Sequence, residues 1–194
     1  MTFRHVALIG RARSGKDSIG ARLGTKYAFA RVALADPLRS AALDLDPIVG
    51  AEPTSYGTLP VRLSDLVGRY GWERSKSEFA EVRRTLQRLG EAVREHDPDY
   101  WLRLALERVD VAETWGIPVV VTDVRHVNEL DALRSRGALV VRVVRPGVNQ
   151  LAGPEGQHVT ETALDQVEAD VTITNAGTLA DLHRLADSLA VRRD

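Results

Sequence analysis

Residues 10–18 read Gly10-Arg11-Ala12-Arg13-Ser14-Gly15-Lys16-Asp17-Ser18, between the apolar run Val6–Ile9 and the helix-like run Ile19–Leu23. This is G-x-x-x-x-G-K in the strand–loop–helix context of a P-loop, whose backbone N–H groups, helix N-terminus and lysine bind phosphates. Asp17 departs from the pattern, because a Ser or Thr normally follows the lysine and ligates Mg²⁺. The stretch therefore favours a nucleotide site over a glycine-containing turn before an ordinary helix.

Four further short apolar runs resemble the first one, and helical patterns separate them: Val32–Leu34, Ile117–Val121, Ala138–Val144 and Val171–Ile173. Such runs are typical of parallel strands buried on both faces. We predict an α/β fold, a three-layer P-loop sandwich whose five-stranded parallel sheet has the order 2-3-1-4-5. The closing helix is expected to begin at Thr178, a plausible N-cap with Asp181 three residues further on.

The interval between the second and third strands contains no convincing strand. We predict a helical insertion over residues 36–114 within a single P-loop domain, 1–194. Helical patterns cover Leu63–Tyr70, Ser77–Arg94 and Asp99–Glu113. The Pro- and Gly-rich segment Asp46–Pro60 is interpreted as a loop, either mobile or ordered without a role.

The composition excludes several classes of protein. The 194 residues carry 26 basic and 27 acidic side chains, so no overall positive field favours nucleic acid or an anionic membrane. There are no cysteines, which excludes disulfides and thiolate metal sites. The five histidines show no metal-ligand spacing. No apolar run approaches a membrane span and no signal peptide is recognisable, so we expect a cytoplasmic protein.

Ligands of an open parallel sheet bind beyond the carboxyl ends of its strands. Asp123 follows the third strand, the position of an acid that holds Mg²⁺, although a carboxylate there can also cap the next helix. Arg125 can reach the same cleft or simply start that helix in solvent. Guanidinium groups suit the neutralisation of a phosphoryl acceptor.

The helix over Ser77–Arg94 has two stripes, an apolar one and one that includes Arg83, Gln87, Gly90 and Arg94. Gly90 costs about 1 kcal/mol against Ala in a helix interior, so either a close approach or a break in the helix is expected there. Trp101 can be a core residue or a ligand contact, and composition favours the core.

Eight segments together resemble the phage-type deoxynucleoside monophosphate kinases, within the wider group of P-loop small-molecule kinases. They follow the family's order along nearly the whole chain: Arg13–Ser18, Ala35–Arg39, Val82–Gly90, Tyr100-Trp101, Thr122–Arg125, Val144–Gly147, His158–Glu161 and Ile173–Leu179. Asp17 after the lysine is normal in that family, whereas Ala12 stands where members can carry a lysine.

The resemblance implies transfer of a phosphoryl group from ATP to a deoxynucleoside monophosphate (dNMP) with Mg²⁺, in the service of DNA precursor synthesis. It implies catalytic roles for Lys16, Arg125 and Arg145. Arg145 resembles a lid arginine and directly precedes the lid expected over residues 146–160. Implied ATP-binding residues are Arg13, Gly15, Lys16, Asp17, Ser18, Asn175 and Gly177. Implied acceptor-binding residues are Leu38, Arg39, Arg83, Gly90, Trp101, Asp123 and Arg125, and the implied metal ligands are Asp17 and Asp123.

The resemblance further implies a homodimer that acts on free nucleotides, in the host cytoplasm if a phage encodes it. Two alternatives stay open at this point. One is another small-molecule P-loop kinase, acting on dephospho-coenzyme A or a ribonucleoside monophosphate. The other is a nucleotide-binding module without catalytic activity.

Overall fold

The computed structural model describes residues 3–147 and 164–192. The chain divides into two compact units. The first, here called the sheet unit, comprises Met1–Leu34 and Ala105–Asp194, and the second, the insertion unit, comprises Ala35–Leu104. The predicted lid at 146–160 lies outside the described residues, apart from its first two positions.

The sheet unit is built on five parallel strands. They are β1 (Val6–Ile9), β2 (Ala30–Val32), β5 (Val119–Val121), β6 (Leu139–Val144) and β7 (Val171–Thr174), in the spatial order β2-β5-β1-β6-β7. Two strands that the sequence did not predict, β3 (Ile48–Thr54) and β4 (Gly57–Arg62), lie outside this sheet. Counted within the sheet alone, the order is the expected 2-3-1-4-5.

Helices of the sheet unit supply the rest of its core. They are α1 (Lys16–Tyr27), the part of α5 (Tyr100–Thr114) from Ala105 onward, α6 (Val127–Ser135) and α7 (Leu179–Asp187). Ile19 and Leu23 of α1 and Leu182 of α7 are buried in one cluster with the inward side chains of β1, β5, β6 and β7. The central strands β1 and β5 are continuous apolar runs whose residues are all buried, because both faces of the sheet are covered there, whereas the edge strands β2 and β7 are partly exposed.

Strand β2 differs from its predicted position at Val32–Leu34, since it ends at Val32. Its register pairs Ala30, Arg31 and Val32 with Val119, Val120 and Val121. The backbone N–H of Leu34 instead donates to Asp123 Oδ1 at 2.9 Å. The chain therefore leaves the pairing with β5 after Val32, and the amide of Leu34 donates to the Asp123 carboxylate instead of to a neighbouring strand.

His5, one of the five histidines that show no metal-ligand spacing, is a buried structural residue. Its Nδ1 accepts the backbone N–H of Val119 at 2.9 Å, so the proton lies on Nε2, which donates to Glu113 Oε1 at 2.9 Å. Glu113 also pairs with Arg136 at 2.9 Å. The imidazole thus fixes the start of β5 beside β1.

The insertion unit contains α2 (Asp36–Leu45), α3 (Leu63–Glu78) and α4 (Ala80–His96), and α5 (Tyr100–Thr114) begins in it. Gly71, with φ of +71°, interrupts α3 directly after the predicted helix end at Tyr70. This unit has a hydrophobic cluster of its own, which includes Leu63, Leu66, Val82 and Leu86.

The expectation of a loop over Asp46–Pro60, and of no strand in the insertion, is wrong. Strands β3 (Ile48–Thr54) and β4 (Gly57–Arg62) form an antiparallel hairpin, and Val49 and Val61 are buried in the cluster of the insertion unit. Pro53 and Pro60 lie within the strands, and because proline is rare inside sheets, the sequence did not indicate strands there. The hairpin has no neighbouring sheet strand among the described residues, so the lost proline donors are tolerated.

In the part of the chain that the structure describes, no helix combines the length and apolar character needed to cross a membrane.

Candidate nucleotide-binding site

The loop between β1 and α1 has the backbone of a phosphate-binding turn. Gly10 has φ of +132° and Gly15 has φ of +110°. A Cβ on Gly10 would lie 2.3 Å from the carbonyl oxygen of Val143, and one on Gly15 would lie 2.7 Å from Asn175 Nδ2. Both positions therefore require glycine, for conformation and for space.

Lys16, the first residue of α1, folds back over this loop. Its Nζ donates to the carbonyl oxygens of Gly10 at 2.5 Å and Arg11 at 2.8 Å. The ammonium group is half-buried at the loop, where the positive end of the helix dipole adds to its charge. This arrangement of lysine, helix start and glycine turn is the kind that binds phosphate groups.

Asn175 supports the loop from the end of β7. Its side-chain amide donates to the carbonyl oxygen of Ser14 at 2.9 Å, and its backbone N–H donates to Val144 O at 2.7 Å. Ser14 is buried, and its hydroxyl has no hydrogen-bond partner among the described residues. Asn175, which the resemblance implies is an ATP-binding residue, thus contacts the phosphate-binding loop through its side-chain amide.

Gly177 lies at the start of α7, where a Cβ would approach Asp181 Oδ2 to 2.6 Å. Thr178 caps this helix as predicted, since its Oγ1 accepts the backbone N–H of Asp181 at 3.2 Å. Asp181 in turn accepts the backbone N–H of Thr178 at 2.8 Å. Hydrogen bonds from the Thr178 hydroxyl and backbone lower the pKa of Asp181.

Asp17 lies in the first turn of α1 and its side chain is 78% exposed. Its Oδ1 accepts hydrogen bonds from Arg31 Nη2 and from Thr122 Oγ1, the latter at 3.3 Å. Arg31 belongs to β2, and Thr122 is a buried residue directly after β5. Neither was singled out from the sequence, because only the fold brings positions so far apart in the chain together.

Asp123 joins the ends of two neighbouring strands through its bond to Leu34, and it is not the N-cap of the next helix. That cap is His126, and the buried Glu129 accepts the backbone N–H groups of Arg125 at 2.8 Å and His126 at 3.1 Å. The alternative of a capping role for Asp123 is therefore excluded. Arg125 itself projects from a fixed backbone as an exposed side chain.

Of the remaining predicted residues of the sheet unit, Arg13 and Ser18 lie in or directly after the loop, whereas Arg145 follows β6. Arg13 is exposed, with φ of +62°, and Ser18 is half-buried in the first turn of α1. Arg145 is exposed just after the end of β6.

Three predicted acceptor residues of the insertion unit form one cluster. The indole Nε1 of Trp101 donates to the carbonyl oxygen of Gly90 at 3.3 Å, and a Cβ on Gly90 would lie 3.2 Å from Leu38 Cδ2. Gly90 shares the buried stripe of α4 with Val82 and Leu86, so its assignment to the polar stripe is corrected: a close approach explains it. Trp101 is 4% exposed and is a core residue.

Arg39 and Arg83 are the half-buried arginines of the insertion unit among the predicted residues. Arg39 lies 3.4 Å from carboxylate oxygens of both Asp36 and Glu73, with its guanidinium carbon 5.7 Å from the centre of the Trp72 ring. On α4, Arg84 is exposed and pairs with Glu81, whereas Arg83 is half-buried. Trp72 and Glu73 escaped the sequence analysis, since no motif contains them.

The oxygen ligands of this site fit magnesium. Mg²⁺ is usually held by one or two carboxylates together with substrate phosphates. Among the described residues no three His, Asp or Glu side chains form a metal-binding group. In Asp17, however, both bonds from the described residues fall on Oδ1, which leaves Oδ2 for a cation.

Comparison with known proteins gives a family and a fold. A family model described as deoxynucleotide monophosphate kinase matches residues 64–185. The chain is 38% identical over 104 residues to a deoxynucleotide monophosphate kinase of Enterobacteria phage T4, a match that covers 52% of this chain and 42% of the relative. The deoxynucleotide monophosphate kinase of Escherichia phage RB69 is 38% identical over 105 residues, covering 53% and 41%.

The chain thus matches about two fifths of the length of these curated relatives. Among solved structures, a dephospho-CoA kinase from Campylobacter jejuni superimposes with a TM-score of 0.54 at 10% identity, over 96% of this chain and 95% of that one. At this identity the likeness concerns the fold alone.

Proposed function

Because the chain belongs to the deoxynucleotide monophosphate kinase family, we propose that it transfers the γ-phosphoryl group of ATP to a deoxynucleoside monophosphate, yielding a diphosphate and ADP. The observation that carries the proposal is the loop over Gly10–Gly15 with Lys16 folded across it. The loop lies outside the matched residues 64–185, so it supports the proposal independently of the family match.

The sheet unit would bind ATP. The backbone N–H groups of the loop and the ammonium group of Lys16 would contact the phosphates, with Arg13, Gly15, Asp17 and Ser18 beside them. Asn175 would act by holding the loop through Ser14 O, and Gly177 would border the base. Phosphoryl transfer needs little covalent help, so placing the phosphates against fixed positive charge supplies most of the catalysis.

Arginines would neutralise the acceptor, whose own phosphate repels ATP. We assign this role to Arg39, Arg83 and Arg125, since forked guanidinium groups match phosphate geometry. Leu38 would contact the nucleoside, while Gly90 and the buried Trp101 would fix the position of Leu38. Arg145 would reach the transferring group. The acceptor phosphate is largely ionised at neutral pH, so no strong general base is needed.

Asp17 and Asp123 would hold Mg²⁺, which neutralises charge on the β- and γ-phosphates when it is bound. Of these two, Asp17 has the more exposed carboxylate. We further propose that the protein works as a homodimer in the cytoplasm on free nucleotides, without nucleic acid or membrane.

A panel of acceptors tests the activity. The purified chain is incubated with Mg²⁺, labelled ATP and, separately, each dNMP, each ribonucleoside monophosphate and dephospho-coenzyme A. We expect label in at least one deoxynucleoside diphosphate, at a higher kcat/KM than for the ribonucleotides. Transfer to dephospho-coenzyme A alone, or nucleotide binding without any transfer, would contradict the proposal. Light scattering during size exclusion gives the oligomeric state.

A further inference from the structure

The two partners of Asp17 have no role in the function proposed above. Arg31 Nη2 lies on Asp17 Oδ1 and also 3.4 Å from Thr122 Oγ1, and the Thr122 hydroxyl lies 3.3 Å from the same Oδ1. One oxygen of the carboxylate is therefore held by two donors, one from β2 and one from the residue directly after β5. Among the described residues, no donor contacts the other oxygen, Oδ2.

The close packing of α1 against Thr122 allows the contact between Thr122 and Asp17. Gly20 follows Asp17 by three residues and lies on the same side of α1 as Asp17, and a Cβ on it would lie 2.5 Å from the Thr122 methyl carbon. Any larger residue at position 20 would push the helix off the strand end. Glycine here lets the Thr122 hydroxyl reach Asp17, although it costs helix propensity of about 1 kcal/mol.

The negative charge of Asp17 also indicates a role for Arg31. A carboxylate directly after Lys16 places a negative charge where incoming phosphates also carry negative charge, and repulsion between like charges would weaken nucleotide binding. Arg31 offsets that charge on Oδ1. Its side chain is 50% exposed, and its side-chain hydrogen bonds among the described residues go to Asp17 and Thr122, so it contributes little to the core.

We propose that Arg31, with Thr122, is a positioning residue for metal-nucleotide binding: it fixes Asp17 through Oδ1 so that Oδ2 faces the cation carried by ATP. The inference rests on the proposed function, because it assumes that a magnesium–nucleotide complex binds at this loop. Partners that orient a ligating carboxylate typically change metal affinity 10- to 100-fold when they are removed. Arg31 itself touches neither metal nor phosphate in this scheme.

Calorimetric titration with a non-hydrolysable ATP analogue tests the inference without relying on catalysis. Arg31→Gln is compared with wild type over a range of Mg²⁺ concentrations. We expect about a 10-fold loss of affinity for the magnesium–analogue complex and a matching rise in the Mg²⁺ concentration at half-saturation. Arg31→Lys, which keeps a cationic donor, is expected to recover part of the loss. Arg22→Gln is the matched control, since Arg22 of α1 pairs with Asp187 rather than with Asp17.

A double-mutant cycle separates positioning from direct attraction. In an Asp17→Asn background, Arg31→Gln is expected to have no further effect on affinity, because the carboxylate that it orients is gone. An equal loss in both backgrounds would mean that Arg31 attracts phosphate by itself and would overturn the inference. Tighter magnesium–nucleotide binding by Arg31→Gln would also overturn it, since Arg31 would then compete with the cation.

Thr122→Val provides a second route should Arg31→Gln fold poorly. It removes the hydroxyl with little change of volume, and we expect a smaller loss of affinity that again disappears in Asp17→Asn. An unchanged affinity would contradict the inference. If wild type binds no magnesium–nucleotide complex, the proposed function fails; if wild type binds and Arg31→Gln binds equally well, this inference alone fails.

Discussion

Trp101 and Trp115 show how differently two residues of one type behave in this chain. Trp101 is 4% exposed and bonded to Gly90, whereas Trp115 is 77% exposed. Trp101→Phe should lower the free energy of unfolding by about 1–3 kcal/mol, because it loses a buried hydrogen bond and leaves unfilled volume. Trp115→Phe, the control, should change it by no more than about 0.5 kcal/mol. Urea denaturation measures both, and equal effects would argue against a core role for Trp101.

Lys16 is the residue on which the proposed transfer depends most. Lys16→Met removes the ammonium group from the loop, and we expect phosphoryl transfer to fall by at least about 100-fold, with circular dichroism unchanged. The matched control is Lys26→Met, on the same helix, since that amine binds Asp187. Transfer at the wild-type rate in Lys16→Met would remove this lysine from the mechanism.

At the scale of single residues, the sequence predicted those that stand in recognisable motifs. Gly15, Lys16 and Thr178 have the local environments expected of them. The sequence did not predict the partners of Asp17, because Arg31 in β2 and Thr122 directly after β5 are far apart in the chain and carry no local pattern. Contacts between side chains that are far apart in sequence follow from the order and register of the strands in the sheet. A single sequence does not show that order or register.

Helix α7 depends on its cap. Thr178→Ala removes the acceptor of the Asp181 N–H and should cost about 1 kcal/mol in the free energy of unfolding, within a range of roughly 0.5–2 kcal/mol. Thr178→Ser keeps the oxygen and should cost only a few tenths of that. Urea denaturation of the two variants checks this, and an equal loss in both would indicate that the threonine methyl group, not the cap, matters.

Helices α1 and α7 are joined by charge as well as by packing. Arg22 and Lys26 of α1 contact Asp187 at 2.7 to 2.9 Å, and their hydrogen bonds hold the pKa of Asp187 well below its usual range. Because the unfolded chain titrates this group near about 3.9, the ion pairs stabilise the fold above that pH and are lost as the pH falls through the lower folded value.

Asp187→Asn should therefore make the free energy of unfolding depend less on pH under acid conditions. We expect the urea midpoint of wild type to fall more steeply than that of the variant between about pH 5 and pH 2. The control is Asp131→Asn, at an exposed carboxylate of α6. If the urea midpoints of wild type and Asp187→Asn fell equally at acid pH, the ion pairs of Asp187 would contribute nothing measurable to stability.

Elements were predictable wherever local periodicity and tertiary environment agreed. Strands β1, β5 and β6 are short, mostly buried apolar runs, and β7 is a short run with Ile173 buried. The β3–β4 hairpin was not predictable in this way, since most of its side chains are exposed and two of its residues are proline. Its stability comes from burying Val49 and Val61 against α3 and α4, a contact that no local signal announces.

At the scale of the whole molecule, ligand binding should appear as added stability. A magnesium complex of a non-hydrolysable ATP analogue at 100 times its Kd should raise the free energy of unfolding by about 2.7 kcal/mol. Lys16→Met at the same concentration should show a much smaller rise, because its Kd is weaker. Thermal and urea unfolding with and without ligand measure this. A similar rise in both proteins would place nucleotide binding elsewhere in the chain.

The bonds from Lys16 to the carbonyl oxygens of Gly10 and Arg11 have a consequence for affinity. The ammonium group has two peptide oxygens in place of part of its water and already spans the turn, so the loop is preorganised for phosphate. Under the proposed function, nucleotide binding would be an exchange in which phosphate oxygens replace peptide oxygens around the same cation. Much of the ordering entropy is lost during folding rather than during binding, which should make association fast and the loop equally rigid before and after.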